Sequence, residues 1–378
     1  MAAVVGVRAL LSLHRLGMWL IPVQSTSTCL SRKLCNDPTR SNEQNPVVAP
    51  ENKSLLENLN LLGVDVKMAR QRQPGVLRKA STNERGLAQF LQGKGAHCKI
   101  IAGIISRYPR AITRSIEHLS QRWNLWRNIF KTDEEILSIL HRSPESFFRS
   151  SDNGNLEKNI AFLTSLGLNN KDLLRLLTTA PRTFSNSLEL NKRMVNCLED
   201  ICVELGGKNP EQFPRAVISR NLYILIRSTK RVETNVDNLR DFLMLSNSEL
   251  LAFLHGPGAE ILDLSNEFLK TNFYSLQQKM VLLGCQKTDI KKLIISYPLV
   301  LYIGRETLST KLDCLLEGGI TMKQILEKPK VLDYSTQNIT RRLEELQRVG
   351  FDLQLNGINI LDSSQKRFVR RIEKLDAP

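Results

Sequence analysis

The sequence predicts an all-α fold, a solenoid of about eight two-helix repeats. Three observations carry the solenoid: a proline recurring about every 35 residues, the same apolar frame around each one, and helix start and stop residues at matching places. Pro109, Pro144, Pro181 and Pro298 each follow Ile or Leu at eight, five and four residues upstream. Those triplets are Ile101, Ile104, Ile105; Ile136, Ile139, Leu140; Leu173, Leu176, Leu177; and Ile290, Leu293, Ile294. Three residues after each proline stands Ile112, Phe147, Phe184 or Leu301. An i, i+3, i+4 triplet lies on one helical face. Proline ends that helix because it lacks an N–H and keeps its predecessor out of the α region. Four near-identical frames count against a compact bundle with accidental proline spacing.

In chain order, residues 1–36 contain no Asp or Glu but carry Arg8, Arg15, Arg32 and Lys33 among Leu, Ser and Thr. That composition reads as a mitochondrial targeting presequence, with a free N-terminal tail as the plainer alternative. Residues 37–54 are rich in Asn, Pro, Ser and Glu and read as a polar linker. The repeat array is expected over 55–350. Pro74 opens it with a weak frame (Val66, Ala69, Leu77), and Pro109 follows 35 residues later, Pro144 another 35, Pro181 another 37. The next proline is replaced by Leu222, yet Val217, Ile218 and Leu225 keep the frame. Pro257 and Pro329 shift the triplet by one, to Leu250, Phe253, Leu254 and Met322, Ile325, Leu326. Capping boxes are expected at Thr132 with Glu135, Ser246 with Glu249 and Thr321 with Gln324. Gly63, Gly167, Gly284 and Gly350 are expected to end helices in the left-handed region. A basic segment, 351–378, closes the array.

A formal net charge of +15 over 378 residues favours a polyanionic partner, nucleic acid or an anionic membrane. Removing residues 1–36 leaves about +11. No window is apolar enough to span a bilayer. Seven cysteines without a C-x-x-C pair argue against a disulfide framework. The adjacent His97 and Cys98 do not share a helix face, so no metal site is read, and no cofactor is expected. G-x-x-x-x-G-K-[ST], G-x-S-x-G and H-E-x-x-H are all missing from the sequence, and H-G-P-G at 255–258 falls at a repeat turn. No catalytic set emerges.

Basic residues, by contrast, keep step with the repeat. Arg107 and Arg110 flank Pro109, Arg142 and Arg149 flank Pro144, and Arg182 follows Pro181. Arg220, Arg227, Lys230 and Arg231 surround Leu222; Lys328 and Lys330 flank Pro329. Stacked repeats align such positions along one edge, which suits a duplex backbone. The C-terminal run adds Lys366, Arg367, Arg370 and Arg371.

The runs S-R-Y-P-R-A-I-T-R (106–114), H-R-S-P-E-S-F-F-R-S (141–150), T-A-P-R-T-F-S-N-S-L (179–188) and G-P-G-A-E-I-L-D-L-S-N (256–266) resemble the mitochondrial transcription termination factor (mTERF) family. The resemblance covers residues from about 55 to 378. It implies a left-handed superhelix that wraps double-stranded mitochondrial DNA as a monomer and has no enzymatic activity. It further implies binding within a leucine tRNA gene, just beyond the large ribosomal RNA gene, where mitochondrial RNA polymerase is blocked in the matrix nucleoid. By this resemblance Arg142, Tyr223 and Phe268 fall at base-flipping and stacking positions, with the family's Phe and Tyr exchanged at the latter two. Spacing alone reads Tyr223 and Phe268 as core. Arg149, Arg182, Arg231, Lys330 and Arg367 fall at sequence-reading positions, Lys330 replacing an arginine whose bidentate fork it lacks. Arg107, Arg110, Arg227, Lys230, Lys366, Arg370 and Arg371 are expected to meet the phosphate backbone. The alternatives are an organellar rRNA-binding factor and a protein-binding scaffold.

Overall fold

The computed structural model describes residues 50–150 and 152–376. The presequence reading, and all of the linker reading before residue 50, lie outside the described residues. Among the described residues are twenty α-helices, eight 3₁₀ helices and no strand.

Eight units share one plan: a first helix, a second helix, and a short turn that leads to the next unit. Unit one pairs Lys53–Leu61 with Val66–Arg72, and unit two Glu84–Gly93 with Cys98–Arg107. Unit three pairs Ile116–Arg127 with Asp133–Arg142, and unit four Asn153–Ser165 with Asn170–Thr179. Unit five pairs the long Leu188–Glu204 with Phe213–Arg220. Units six, seven and eight pair Thr229–Leu243 with Asn247–His255, Asn266–Leu282 with Lys287–Ser296, and Arg305–Glu317 with Met322–Glu327. A ninth unit, shorter, holds Thr336–Arg348 and Leu353–Asn356, and the terminal helix Gln365–Leu375 closes the array. First helices pack on first helices from unit one to unit nine, and turns pack on turns from unit three to unit five and from unit six to unit seven. The four triplets before Pro109, Pro144, Pro181 and Pro298 are all buried between these layers, as are those of units five and six, whereas Val66, Met322 and Leu326 of the outer units are only half-buried.

The prolines act one step later than a simple helix stop. Each second helix ends two residues before its proline. The intervening residue (Gln73, Tyr108, Ser143, Ala180, Tyr297 or Lys328) has φ between −150° and −129° and ψ between 57° and 74°. That lies outside the α region, which a following pyrrolidine ring disfavours. The proline then opens a 3₁₀ turn such as Pro109–Thr113, where its missing N–H costs nothing; Pro144 instead caps the short α-helix Glu145–Phe148.

All three expected capping boxes form, and Asn169 with Asp172 makes a further one. Gly63, Gly167, Gly284 and Gly350 lie at positive φ, as expected.

A second periodic feature joins six of the nine first helices to their own turns. The seventh residue of the first helix is polar and buried in units three, four and six to nine: Arg122, Asn159, Asn235, Asn272, Lys311 and Arg342. Each donates to backbone carbonyls at the end of the same unit's turn. Arg122 Nη1 reaches Phe147 O at 2.7 Å and Ser150 O at 2.6 Å; Asn235 Nδ2 reaches Leu262 O and Leu264 O at 3.0 and 2.8 Å. Lys311 Nζ meets Leu332 O at 2.6 Å, and Arg342 Nη1 meets Leu361 O at 2.6 Å. These carbonyls are cut off from water, and an unpaired one would cost as much as a lost hydrogen bond.

Candidate nucleic-acid interface

The end of a second helix, its turn and the start of the next first helix are consecutive in the chain. Because turns stack on turns, these segments make one edge of the array. The basic residues occupy three repeat positions on this edge. Arg72, Arg107, Arg142 and Arg220 are each the last residue of a second helix. Arg110, Arg182 and Lys330 each follow the turn proline and are exposed. Arg231 and Arg367 are each the third residue of a helix with serine at its N-cap, Ser228 or Ser364, and the aromatic Phe268 holds the same position after Ser265.

Electrostatics marks the last position as unusual. The positive end of the helix dipole favours acidic side chains in a first turn, as at Glu117 or Asp133, Glu134 and Glu135. Thr229–Leu243 and Gln365–Leu375 have no acidic residue there. They carry Lys230 with Arg231, and Lys366 with Arg367, instead. Cations so placed work against the dipole by about 0.3–1 kcal/mol each, and they stand at helix N-termini, whose positive end suits an anion such as phosphate. Arg370 and Arg371 extend the patch along the terminal helix, all four exposed, while Phe368 and Ile372 anchor its other face.

The structure does not treat all the expected contacts alike. Arg142, Arg149, Arg182, Lys230 and Lys330 are exposed, and Arg149 lies 4.0 Å from Glu145. Arg231 is half-buried, its backbone N–H on Ser228 Oγ at 3.4 Å. The Arg107 guanidinium turns along the array and donates to the carbonyls of His141 and Arg142, where it caps the next second helix; burial holds its pKa below the usual arginine range. Arg227 pairs with buried Asp263, Nη2 to Oδ2 at 3.1 Å. Arg114 likewise reaches Phe148 O at 2.9 Å. Sequence reasoning did not separate these inward-turned arginines from exposed ones, because spacing records position and not side-chain direction.

Tyr223 and Phe268 are both half-buried against the core. Tyr223 caps the Ile224–Ile226 turn of unit five, and Phe268 stands in the first turn of unit seven. With Arg142 in unit three, the three residues sit two units apart in succession. Burial and the neighbouring Asp263 raise the Tyr223 phenol above its ordinary pKa, against the pull of Arg227. The turn between His255 and Phe268 carries Glu260, Asp263 and Glu267 and no Lys or Arg, so the basic edge is interrupted there. Among the described residues no helix is long and apolar enough to cross a membrane, and no three His, Cys, Asp or Glu side chains gather as a metal site.

A stack of two-helix units with phased cations on its turn edge defines the class: a helical-repeat protein whose conspicuous charged surface is basic. The chain belongs to the mTERF family, whose model matches residues 56–369. It is similar to transcription termination factor 1, mitochondrial, of Rattus norvegicus, with 51% identity over 86% of this chain and 87% of that protein. The Homo sapiens protein of the same name is 50% identical over 86% of this chain and 82% of its own length. Transcription termination factor 2, mitochondrial, of Homo sapiens is 29% identical over 95% of this chain and 94% of its own.

Proposed function

We propose that this chain is a mitochondrial transcription terminator that binds double-stranded DNA sequence-specifically and acts as a roadblock to RNA polymerase. The observation that carries the reading is the basic turn edge, above all the cations placed against the helix dipole at Lys230, Arg231, Lys366 and Arg367. Such residues do not serve the fold, and an edge repeated along stacked units matches a polyanion of regular spacing. The relatives' names supply mitochondrial transcription termination.

In this reading Arg110, Lys230, Lys366, Arg370 and Arg371 hold phosphates. Arg149, Arg182, Arg231 and Arg367 read base edges, since a guanidinium fork suits guanine O6 and N7. Lys330 offers a point charge where a fork would read. Arg142, Tyr223 and Phe268 stack on bases turned out of the duplex. Unstacking a base costs a few kcal/mol, and each stacking group returns about 1–3 kcal/mol. Both proposed rings have the required π face whatever their hydroxyl. The site lies in a leucine tRNA gene beyond the large ribosomal RNA gene, and the protein acts as a monomer in the mitochondrial matrix.

The test is single-round transcription across that region with purified protein. Termination is expected with the natural chain and is expected to fall by about tenfold or more when Arg142, Tyr223 and Phe268 are all replaced by Ala. Full read-through at saturating natural protein would sink the roadblock; unchanged termination by the triple variant would sink the stacking roles alone.

A further inference from the structure

The turn of unit five breaks the proline rule, and its neighbours show what holds it instead. Leu222 stands where the turns of units one to four and six to eight have proline, so no ring restricts Asn221. Asn221 still adopts φ −119° and ψ 89°, near the geometry of the six pre-proline residues Gln73, Tyr108, Ser143, Ala180, Tyr297 and Lys328, and is buried. Its Nδ2 donates to Ala259 O at 2.9 Å and to Asp263 Oδ1 at 3.0 Å. Its Oδ1 accepts the backbone N–H of Tyr223 at 3.2 Å. Asp263 itself is only 6% exposed and takes two further donors, Tyr302 Oη at 2.5 Å and Arg227 Nη2 at 3.1 Å. The Arg227 guanidinium carbon lies 6.0 Å from the centre of the Tyr223 ring. Units five, six and seven therefore meet on one carboxylate, which its three donors compensate for the loss of water.

We propose that Asp263 is a positioning residue for Tyr223: it stands in for the missing proline, fixes the Tyr223 backbone through Asn221, and keeps Arg227 beside the ring and away from phosphate. The inference rests on the duplex-binding reading above and gives Arg227 a different task from the backbone contact expected of it. A carboxylate on the basic edge is otherwise unfavourable for DNA, since it repels phosphate. Its place is explained if the ring it sets is worth more than the charge it cancels.

The test uses the full chain, Asp263→Asn, Arg227→Gln and Tyr223→Ala, and a duplex bearing 2-aminopurine within the footprinted site. Two quantities are read: the lifetime of the specific complex with its 2-aminopurine signal, and the slope of log affinity against log salt. Tyr223→Ala is expected to shorten the lifetime about tenfold. Asp263→Asn is expected to shorten it similarly and to steepen the salt slope by about 0.9, as the released Arg227 gains a phosphate. Arg227→Gln, which leaves Asn221 and Tyr302 on the carboxylate, is expected to shorten the lifetime with the slope unchanged. A role confined to folding would lower the melting temperature of Asp263→Asn and leave the slope as it was, and that result overturns the proposal. Should Asp263→Asn fail to fold, Arg227→Gln decides: a slope shallower by about 0.9 makes Arg227 a phosphate contact and overturns it as well. A natural chain that forms no site-specific complex removes the duplex reading and this one together. A Tyr223→Ala loss without any loss in the other two variants removes this one alone.

Discussion

Met244 has φ 47° and ψ 52°, the one left-handed backbone among the described non-glycine residues. It stands where the other units place Gly63, Gly167 or Gly284, and its side chain is 84% exposed. The Cβ strain is thus uncompensated by burial. Met244→Gly is expected to stabilise the fold by about 1 kcal/mol, read as a higher urea midpoint with unchanged slope. His118 is a second residue-scale case. Burial, with the Arg122 and Arg114 guanidinium groups nearby, pushes its imidazole from 6.5 down to about 4. The unfolded chain takes up a proton near pH 6.5, whereas the fold resists it until about pH 4. The neutral imidazole's full contribution is therefore present above pH 6.5 and is lost as pH falls from there through about 4. His118→Gln is expected to lose less stability than the natural chain between pH 7 and pH 5, measured by urea unfolding at both.

The terminal helix shows how single clamps hold whole elements. Arg342 is 1% exposed, bonds to Leu361 O and Ser363 O, and lies with its guanidinium carbon 4.5 Å from the Tyr334 ring centre and 4.7 Å from that of Phe368. Truncation would leave Leu361 O unpaired, Ser363 O with the Tyr334 hydroxyl alone, and a cavity beside Phe368. Arg342→Ala is expected to cost about 3 kcal/mol and to release Gln365–Leu375, seen as lost hydrogen-exchange protection in that helix before the rest of the array. The seventh-position clamps were not legible in the sequence, although the elements they join were. Prolines, capping boxes and glycines each impose one backbone geometry with one residue type, so their spacing can be read directly. A clamp needs only a buried donor of sufficient reach, and Asn, Lys and Arg all serve. Arg122 and Arg342 thus look in sequence like members of a charged surface. The same ambiguity divides the candidate site: the turn-edge positions were legible, but the inward direction of Arg107 and Arg227 depends on carbonyls and a carboxylate one unit away.

At the scale of the whole molecule, a repeat array gains a long interface from small local choices, because each unit contacts chiefly its neighbours and equivalent positions fall in rows. Net charge alone does not measure that interface, since part of the arginine complement is spent inside the stack. Arg107 and Arg110 separate the two uses within four residues. Arg110 bonds through its backbone N–H to Gln73 Oε1 at 2.7 Å and keeps an exposed side chain, whereas Arg107 caps the His141 and Arg142 carbonyls of the next unit. Removing an exposed phosphate contact lowers the number of counterions released on binding; removing a half-buried cap leaves that number unchanged and weakens the stack. Arg110→Gln is therefore expected to make the plot of log affinity against log salt shallower by about 0.9 with an unaltered melting temperature. Arg107→Gln is expected to lower the melting temperature, by the loss of hydrogen bonds worth about 1–3 kcal/mol, with the salt slope retained. Binding isotherms at several salt concentrations, paired with thermal unfolding of the same proteins, read both quantities. The reversed pattern would place Arg107 on the DNA and Arg110 in the fold, and would mean that side chains on this edge rearrange when the duplex binds.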